Sequence, residues 1–270
     1  MKALRLLPCH AVAVAGVATM SFSAPGHAEI IAGGSGMMNG HPVSAFIETG
    51  ADNKITAVGF KLSGAAVRDP SHVDAVAVLT LPPQAVGAPF RTLTLDWNPH
   101  GHPPKDIYTF AHFDLHFYYV TDEVRRKIVA VPVTPDPGPR CRPADYAPPA
   151  STVPQMGGHA YDMTGAEFHG GKFTHTFIYG YHDLQQQFVE PVVAQDYLIG
   201  LQAPVTGVIR QPAHYALPAF PSLAPTSYKI AVDRAKDEYT ISVGGFIPVP
   251  APTSNAPEAC KELPTTAKTP

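Results

Sequence analysis

Charge is scarce in this chain: Asp, Glu, Lys and Arg make up 15% of its 270 residues, with 22 acidic against 19 basic. No basic stripe runs along it, which argues against nucleic acid and anionic membrane surfaces as partners. Gly-x-Ser-x-Gly, His-Glu-x-x-His and a phosphate loop are all missing, and with them three common catalytic signatures. Beyond the first segment, no apolar run is long enough to cross a membrane as a helix. No internal repeat divides the sequence. Long helices are disfavoured as well, because 30 prolines and 22 glycines interrupt it; each proline removes a donor and fixes φ.

The amino terminus reads as an address. Lys2 and Arg5 precede a largely apolar stretch over 6–20, and residues 21–28 end in small side chains, with Gly26 and Ala28 suiting a signal peptidase. Cleavage is expected after Ala28, which gives a periplasmic or secreted product. The expected organisation is a signal peptide over 1–28, one β-rich domain over 29–247 and a Pro-rich tail over 248–270. Taking Lys2 and Arg5 from the 19 basic residues leaves 17 against 22 acidic, a net charge near −5. Of three cysteines, Cys9 falls in the leader. Cys141 and Cys260 then form an even count that an oxidising compartment would join as a disulfide; two free thiols are the alternative.

Period-two alternation predicts strands over 43–49, 54–62, 73–81, 90–97, 109–120, 172–181 and 187–193, and a hairpin over 228–233 and 239–246. Thr121, with Asp122 and Glu123 in a first turn and Arg125 to Lys127 behind them, predicts a helix. A second short helix is expected near 195–201. The long Pro-rich loop over 132–154 reads as a covering flap. Many short strands imply a mainly β fold, a single β-sandwich or barrel-like domain with one or two short helices.

The chemistry concentrates in the run Phe110-Ala111-His112-Phe113-Asp114-Leu115-His116-Phe117-Tyr118. On a strand, His112, Asp114 and His116 share one face, and Phe113, Leu115 and Phe117 the other. Two imidazoles flanking a carboxylate suit a divalent transition metal, with zinc, iron, manganese, nickel and copper all compatible. His159 lies in a glycine-flanked turn, where backbone can approach closely. Met156 and Met163 bracket it and keep a soft copper site open. His175 falls on a face with Phe173, Phe177 and Tyr179, as a ligand or as a hydrogen-bonded core residue. Glu190 is a carboxylate in an apolar strand and needs a cation or strong donors if buried. His100 and His102, in Asn-Pro-His-Gly-His-Pro-Pro, read as a stiff structural turn ahead of a ligand pair. The metal set expected is therefore His112, His116 and His159, closed by Glu190 or His175. Asp114 and Asp162 stand as partners that orient the rings or as candidate bases.

The ordered segments LDWNPHGHPP, HFDLHFYYV, MGGHAYD, FTHTFIYGY and FVEPVV resemble a family of uncharacterised exported bacterial proteins, a domain of unknown function. Its members carry motifs written GHxP, PHFDxHFY, MGxHxxD, FTHTFIYG and EPM. The resemblance covers about 95–193 well and implies a β-rich fold without a particular reaction. Ala111 stands where the family has proline and Val192 where methionine is common; neither change removes a candidate ligand. Two functions follow as expectations. One is a metal-dependent enzyme or metal-binding protein of the cell envelope. The other is a non-catalytic envelope protein that binds a small molecule or self-associates, with structural histidines.

Overall fold

The computed structural model describes residues 29–219, 222–251 and 259–261. The expected signal peptide and most of the expected tail lie outside them. The described residues begin with three strands: β1 (Glu29–Met38), β2 (His41–Thr49) and β3 (Ile55–Ser63). The short helix α1 (Gly64–Arg68) leads to β4 (Ala75–Leu79), β5 (Thr92–Asn98) and β6 (His112–Tyr118). One helical turn, α2 (Asp122–Arg125), and a long irregular segment precede β7 (Gly158–Ala160) and a 3-10 turn at Ala166–His169. Next come β8 (His175–His182), β9 (Gln185–Ala194) and α3 (Gln195–Gly200). The strands β10 (Val205–Val208), β11 (Ser222–Ala224), β12 (Ser227–Asp233), β13 (Glu238–Gly244) and β14 (Ile247–Val249) follow.

Two six-stranded antiparallel sheets form from these strands, in the orders β1-β2-β3-β13-β12-β10 and β4-β5-β6-β9-β8-β7; β11 and β14 pair separately. The sheets pack as a sandwich, and the described residues form no closed barrel. Val58, Phe60, Ile230 and Ile241 of the first sheet share one core with Leu95, Phe113, Phe117 and Val189 of the second. Phe60 meets Phe117 edge-on, with ring centroids 5.1 Å apart.

The second sheet is unusual in being covered on both sides. Every residue of β6 is buried, although alternate ones are polar. The far face lies under loops rather than a third sheet, and small apolar clusters seal it. Tyr108 and Phe173 pack on Ile178 and Val192, and Met156 packs on Tyr118 and Phe188. Thr121 caps α2 as the sequence suggests, accepting from the Val124 amide, but the helix ends after one turn. Arg125 then folds inward beside Tyr118, held by Asp122 at 2.7 Å. Cys141 and Cys260 are joined by a disulfide across 119 residues. The expected tail starts inside an element, since Pro248 and Val249 belong to β14 and pair with β11.

Candidate metal centre

Strand register assembles the site. In the β5–β6 pair, Thr94 lies opposite His116, Asp96 opposite Asp114 and Asn98 opposite His112. On the other side of β6, β9 pairs so that Asp114 faces Val192; the same register brings Glu190 beside His116. β8 sets Ile178 opposite Glu190, and β7 sets His159 opposite Gly180. Period two therefore turns Asp96, Asp114, His116, His159 and Glu190 to one face. The aromatic and aliphatic residues between them face the sandwich core.

His102 arrives from the loop between β5 and β6. Gly101 has φ +63, and a Cβ there would collide with the Tyr108 carbonyl, so only glycine lets the loop fold back this tightly. The His102 amide donates to that carbonyl at 2.9 Å. His102 Nδ1 lies 2.7 Å from the Pro103 carbonyl oxygen, and His112 Nδ1 lies 2.6 Å from that of Phe110. A carbonyl can only accept, so both rings carry their proton on Nδ1. Both therefore turn Nε2 inward, where the two nitrogens stand 3.1 Å apart. Asp114 completes this outer trio, with Oδ2 at 3.1 Å from His102 Nε2 and Oδ1 at 3.2 Å from His112 Nε2. Asn98 donates to Asp114 Oδ2 at 2.8 Å.

The inner trio is His116, His159 and Glu190. Its ligand atoms, like those of the outer trio, lie within 4.8 Å of one another. His116 Nε2 is 3.5 Å from Glu190 Oε1, and His159 Nε2 is 3.6 Å from Glu190 Oε2. Thr94 Oγ1 holds the other side of the His116 ring at 3.2 Å. Among the described residues, Asp96 Oδ1, Asp114 Oδ1, His116 Nε2 and Glu190 Oε2 are buried without a hydrogen-bond partner. Native structures leave few such atoms, and four on one sheet face mark a place for something else.

Burial and mutual charge split the titrations. Burial pulls His116 down to about 3 and His159 down to about 4, so both rings are neutral near pH 7. Burial acts on His102 in the same direction, but the Asp114 carboxylate outweighs it and holds His102 up at about 9. Burial would raise Asp114, yet the His112 and His102 imidazoles keep it well below the ordinary carboxylate range. Asp96 has no such partner; burial, then repulsion from Asp114, pushes it up to about 7. Glu190 is driven well above its ordinary value by burial and by the charges of Asp114 and Asp96. Burial thus favours the neutral form of Glu190 and brings Asp96 near half-protonation at neutral pH.

A cleft of about 390 Å³ opens on both trios, lined by His102, Asp114, Asp96, His159, Tyr161 and Met156 among others. Each group can hold a divalent ion on this β scaffold, with nitrogen and oxygen donors that suit zinc and its neighbours.

Not every expected residue comes to this face. The structure brings together His112, His116, His159, Asp114 and Glu190, divided between two groups rather than gathered around one point. His159 sits on an edge strand instead of in a turn. His175 points the opposite way, into the sandwich, where its Nδ1 lies 2.8 Å from the Tyr228 hydroxyl. Phe173 precedes β8 and packs beside His112 instead of sharing a face with His175. Asp162 accepts from the Thr164 hydroxyl and lies 3.7 Å from Arg210, so it orients no ring of either trio. Met156 lines the cleft, whereas Met163 is exposed. Of the loop pair, His102 joins the outer trio and His100 is exposed on the turn. Asp96, Asn98 and Thr94 were not singled out from the sequence. The alternation of Thr92, Thr94 and Asp96 with Leu93, Leu95 and Trp97 was the available signal.

No protein-family model, curated protein or solved structure matches the chain.

Proposed function

We propose that this chain is an exported metal-binding protein that holds a divalent transition metal at His102, His112 and Asp114. The observation that carries this reading is the pair of inward-facing Nε2 atoms 3.1 Å apart. Their Nδ1 protons are committed to backbone carbonyls, so with neutral rings two lone pairs and a carboxylate point at one spot. Their mutual repulsion is relieved by a metal ion, or by the proton that Asp114 holds on His102 up to about 9. Ring N–H groups tied back to carbonyls are the usual support behind metal-bound histidines. The spacing agrees: tetrahedral ligands at about 2.0–2.1 Å from zinc stand about 3.3 Å from one another. When bound with a position open to the cleft, such an ion can activate a water or hold a donor ligand. His102 and Asp114 would fix it, Asn98 would orient the carboxylate, and Tyr108 and Phe173 would limit water behind His112.

The leader-like stretch over 1–28 and the Cys141–Cys260 disulfide support placement in the periplasm or outside the cell. The five ordered motifs support kinship with the exported bacterial family described above, since four of them supply the trio residues.

A second reading has its own observation. A proton on His102 Nε2 can also close the outer trio, through a hydrogen bond to Asp114. The histidines would then be structural, in a non-catalytic envelope protein that binds a small molecule or self-associates. Elemental analysis of the protein purified without affinity tag or chelator separates the two. Bound transition metal, lost in His102→Ala, supports the metal reading. A chain that holds no metal and takes none up on reconstitution supports the structural one.

A further inference from the structure

We infer that the inner trio is a second ion position, so that one face of β6 carries a two-ion centre whose members differ in access. The inference rests on the metal reading of the outer trio and extends it to different residues.

A buried histidine that serves only packing normally has both ring nitrogens hydrogen-bonded. His116 does not. Its Nδ1 is held near Thr94, while Nε2, fully buried, has no hydrogen-bond partner. The acceptor it faces, Glu190 Oε1, stands at 3.5 Å, beyond the ordinary N–H···O range of about 2.7–3.2 Å. His159 repeats the arrangement, its Nε2 3.6 Å from the other Glu190 oxygen, and that oxygen is also unpartnered. One carboxylate therefore offers an oxygen to each of two imidazoles, at separations too long for hydrogen bonds. They are close to the edges of a tetrahedral coordination sphere of about 3.3 Å. All three side chains are carried by strands of one sheet, so the gap is fixed by register rather than by loops.

Charge balance points the same way. Asp96, Asp114 and Glu190 lie buried on one sheet face. The nearby cationic side chain, Arg125, is already engaged by Asp122 at 2.7 Å. With Glu190 ionised, one divalent ion at the outer trio leaves its charge facing two neutral imidazoles; a second ion compensates it. The two positions would not behave alike. Glu190 is 1% exposed and His116 fully buried, whereas the His102 side chain is 30% exposed at the cleft. The inner position reaches the cleft only at His159, whose side chain is 8% exposed. The outer ion meets the cleft, and small molecules with oxygen or nitrogen donors would reach it there.

Calorimetric titration of the chelator-stripped full chain with Zn²⁺ tests this, followed by release of the bound metal to a colorimetric chelator. Two equivalents are expected, one released at least ten times more slowly than the other. His102→Ala should lose the fast equivalent, and Glu190→Gln or His159→Ala the slow one. Glu190→Gln keeps the side-chain volume, and His159 lies on an edge strand, so agreement of the two variants guards against a folding defect in either. A single equivalent lost in His102→Ala and retained in both inner variants would overturn the second ion while leaving the outer site standing. A single equivalent lost in all three variants would mean one shared ion and would also overturn it. No uptake at all would remove both positions.

Discussion

His112 and His116 lie four residues apart on one strand, on the same face, both fully buried, and the structure treats them in opposite ways. His112 belongs to a trio in which His102 bonds Asp114 Oδ2 and is held at about 9 by it, although Asp114 Oδ1 has no hydrogen-bond partner. His116 belongs to a trio with no such bond, where burial drives it to about 3 and leaves Nε2 unpartnered. Exposure and an ionised neighbour make the difference, not residue type. A proton can occupy the outer trio in place of a metal. In the inner trio His116 and His159 are neutral and burial forces Glu190 toward its neutral form, which a bound cation would reverse.

The largest expected effect comes from removing one ligand of each trio. His102→Ala combined with His159→Ala should abolish metal retention while the near-ultraviolet circular dichroism keeps its folded signature. Both residues sit at the margin of the face, so the sandwich core is untouched. Persistent metal in the double variant would break the comparison at its base.

Acidity is the next lever. Glu190 and Asp96, raised in the folded state, contribute stability that is full below the unfolded carboxylate value of about 4. It is lost as pH rises through their folded values, about 7 for Asp96. His116 and His159, lowered in the folded state, contribute stability that is present above about 6.5. That stability is lost as pH falls through about 4 and about 3. The two pairs oppose each other between roughly pH 4 and 6.5; above that window the carboxyl loss continues, and His102, raised to about 9, loses its contribution as well. Metal-free protein should therefore melt several degrees lower at pH 8 than at pH 6, at up to about 1.4 kcal/mol per proton and pH unit. Zn²⁺ should erase the difference by accepting the ionised carboxylates. Equal melting points for the metal-free protein at the two pH values would show that neither these carboxyls nor His102 is perturbed as described.

Asp96→Asn should have a smaller and one-sided effect. Asp96 Oδ2 lies 3.8 Å from His116 Nδ1, behind the inner trio, and changes to such supporting groups cost about 10–100-fold in metal affinity. Calorimetry should show that loss in the tighter-held, slowly released equivalent alone. A matching loss at the outer position would mean that Asp96 serves both. Asn98→Ala should give the smallest change, about tenfold in the outer equivalent only, through loss of the 2.8 Å bond to Asp114.

Much of this face could be read from residues 110–118, because period two sorts His112, Asp114 and His116 from Phe113, Leu115 and Phe117 without knowledge of the neighbours. Glu190 was legible for a related reason, as a carboxylate in a strand otherwise too apolar to hold it. What could not be read was register. Asp96 stands opposite Asp114 only because of how β5 and β6 slide against each other, and a single strand carries no record of that. His175 shows the limit from the other side. Its grouping with Phe177 and Tyr179 was correct, but β8 alone does not say which of its faces meets β6. Ile178, not His175, turned out to lie beside Glu190. His102 required the folding back of a Pro-rich loop over Gly101, a tertiary event with no periodic signal. The single helix turn at Asp122–Arg125 is similar: its cap was legible, but not that Arg125 would leave the helix surface to sit over Tyr118.

Diffraction from crystals grown with Zn²⁺, recorded on either side of the zinc absorption edge, tests the central claim most directly. Two anomalous peaks are expected on one sheet face. One lies about 2 Å from His102 Nε2, His112 Nε2 and an Asp114 oxygen, and the other at the same distance from His116, His159 and Glu190. A map with no peak at either trio, and with His102 still bonded to Asp114, would contradict it.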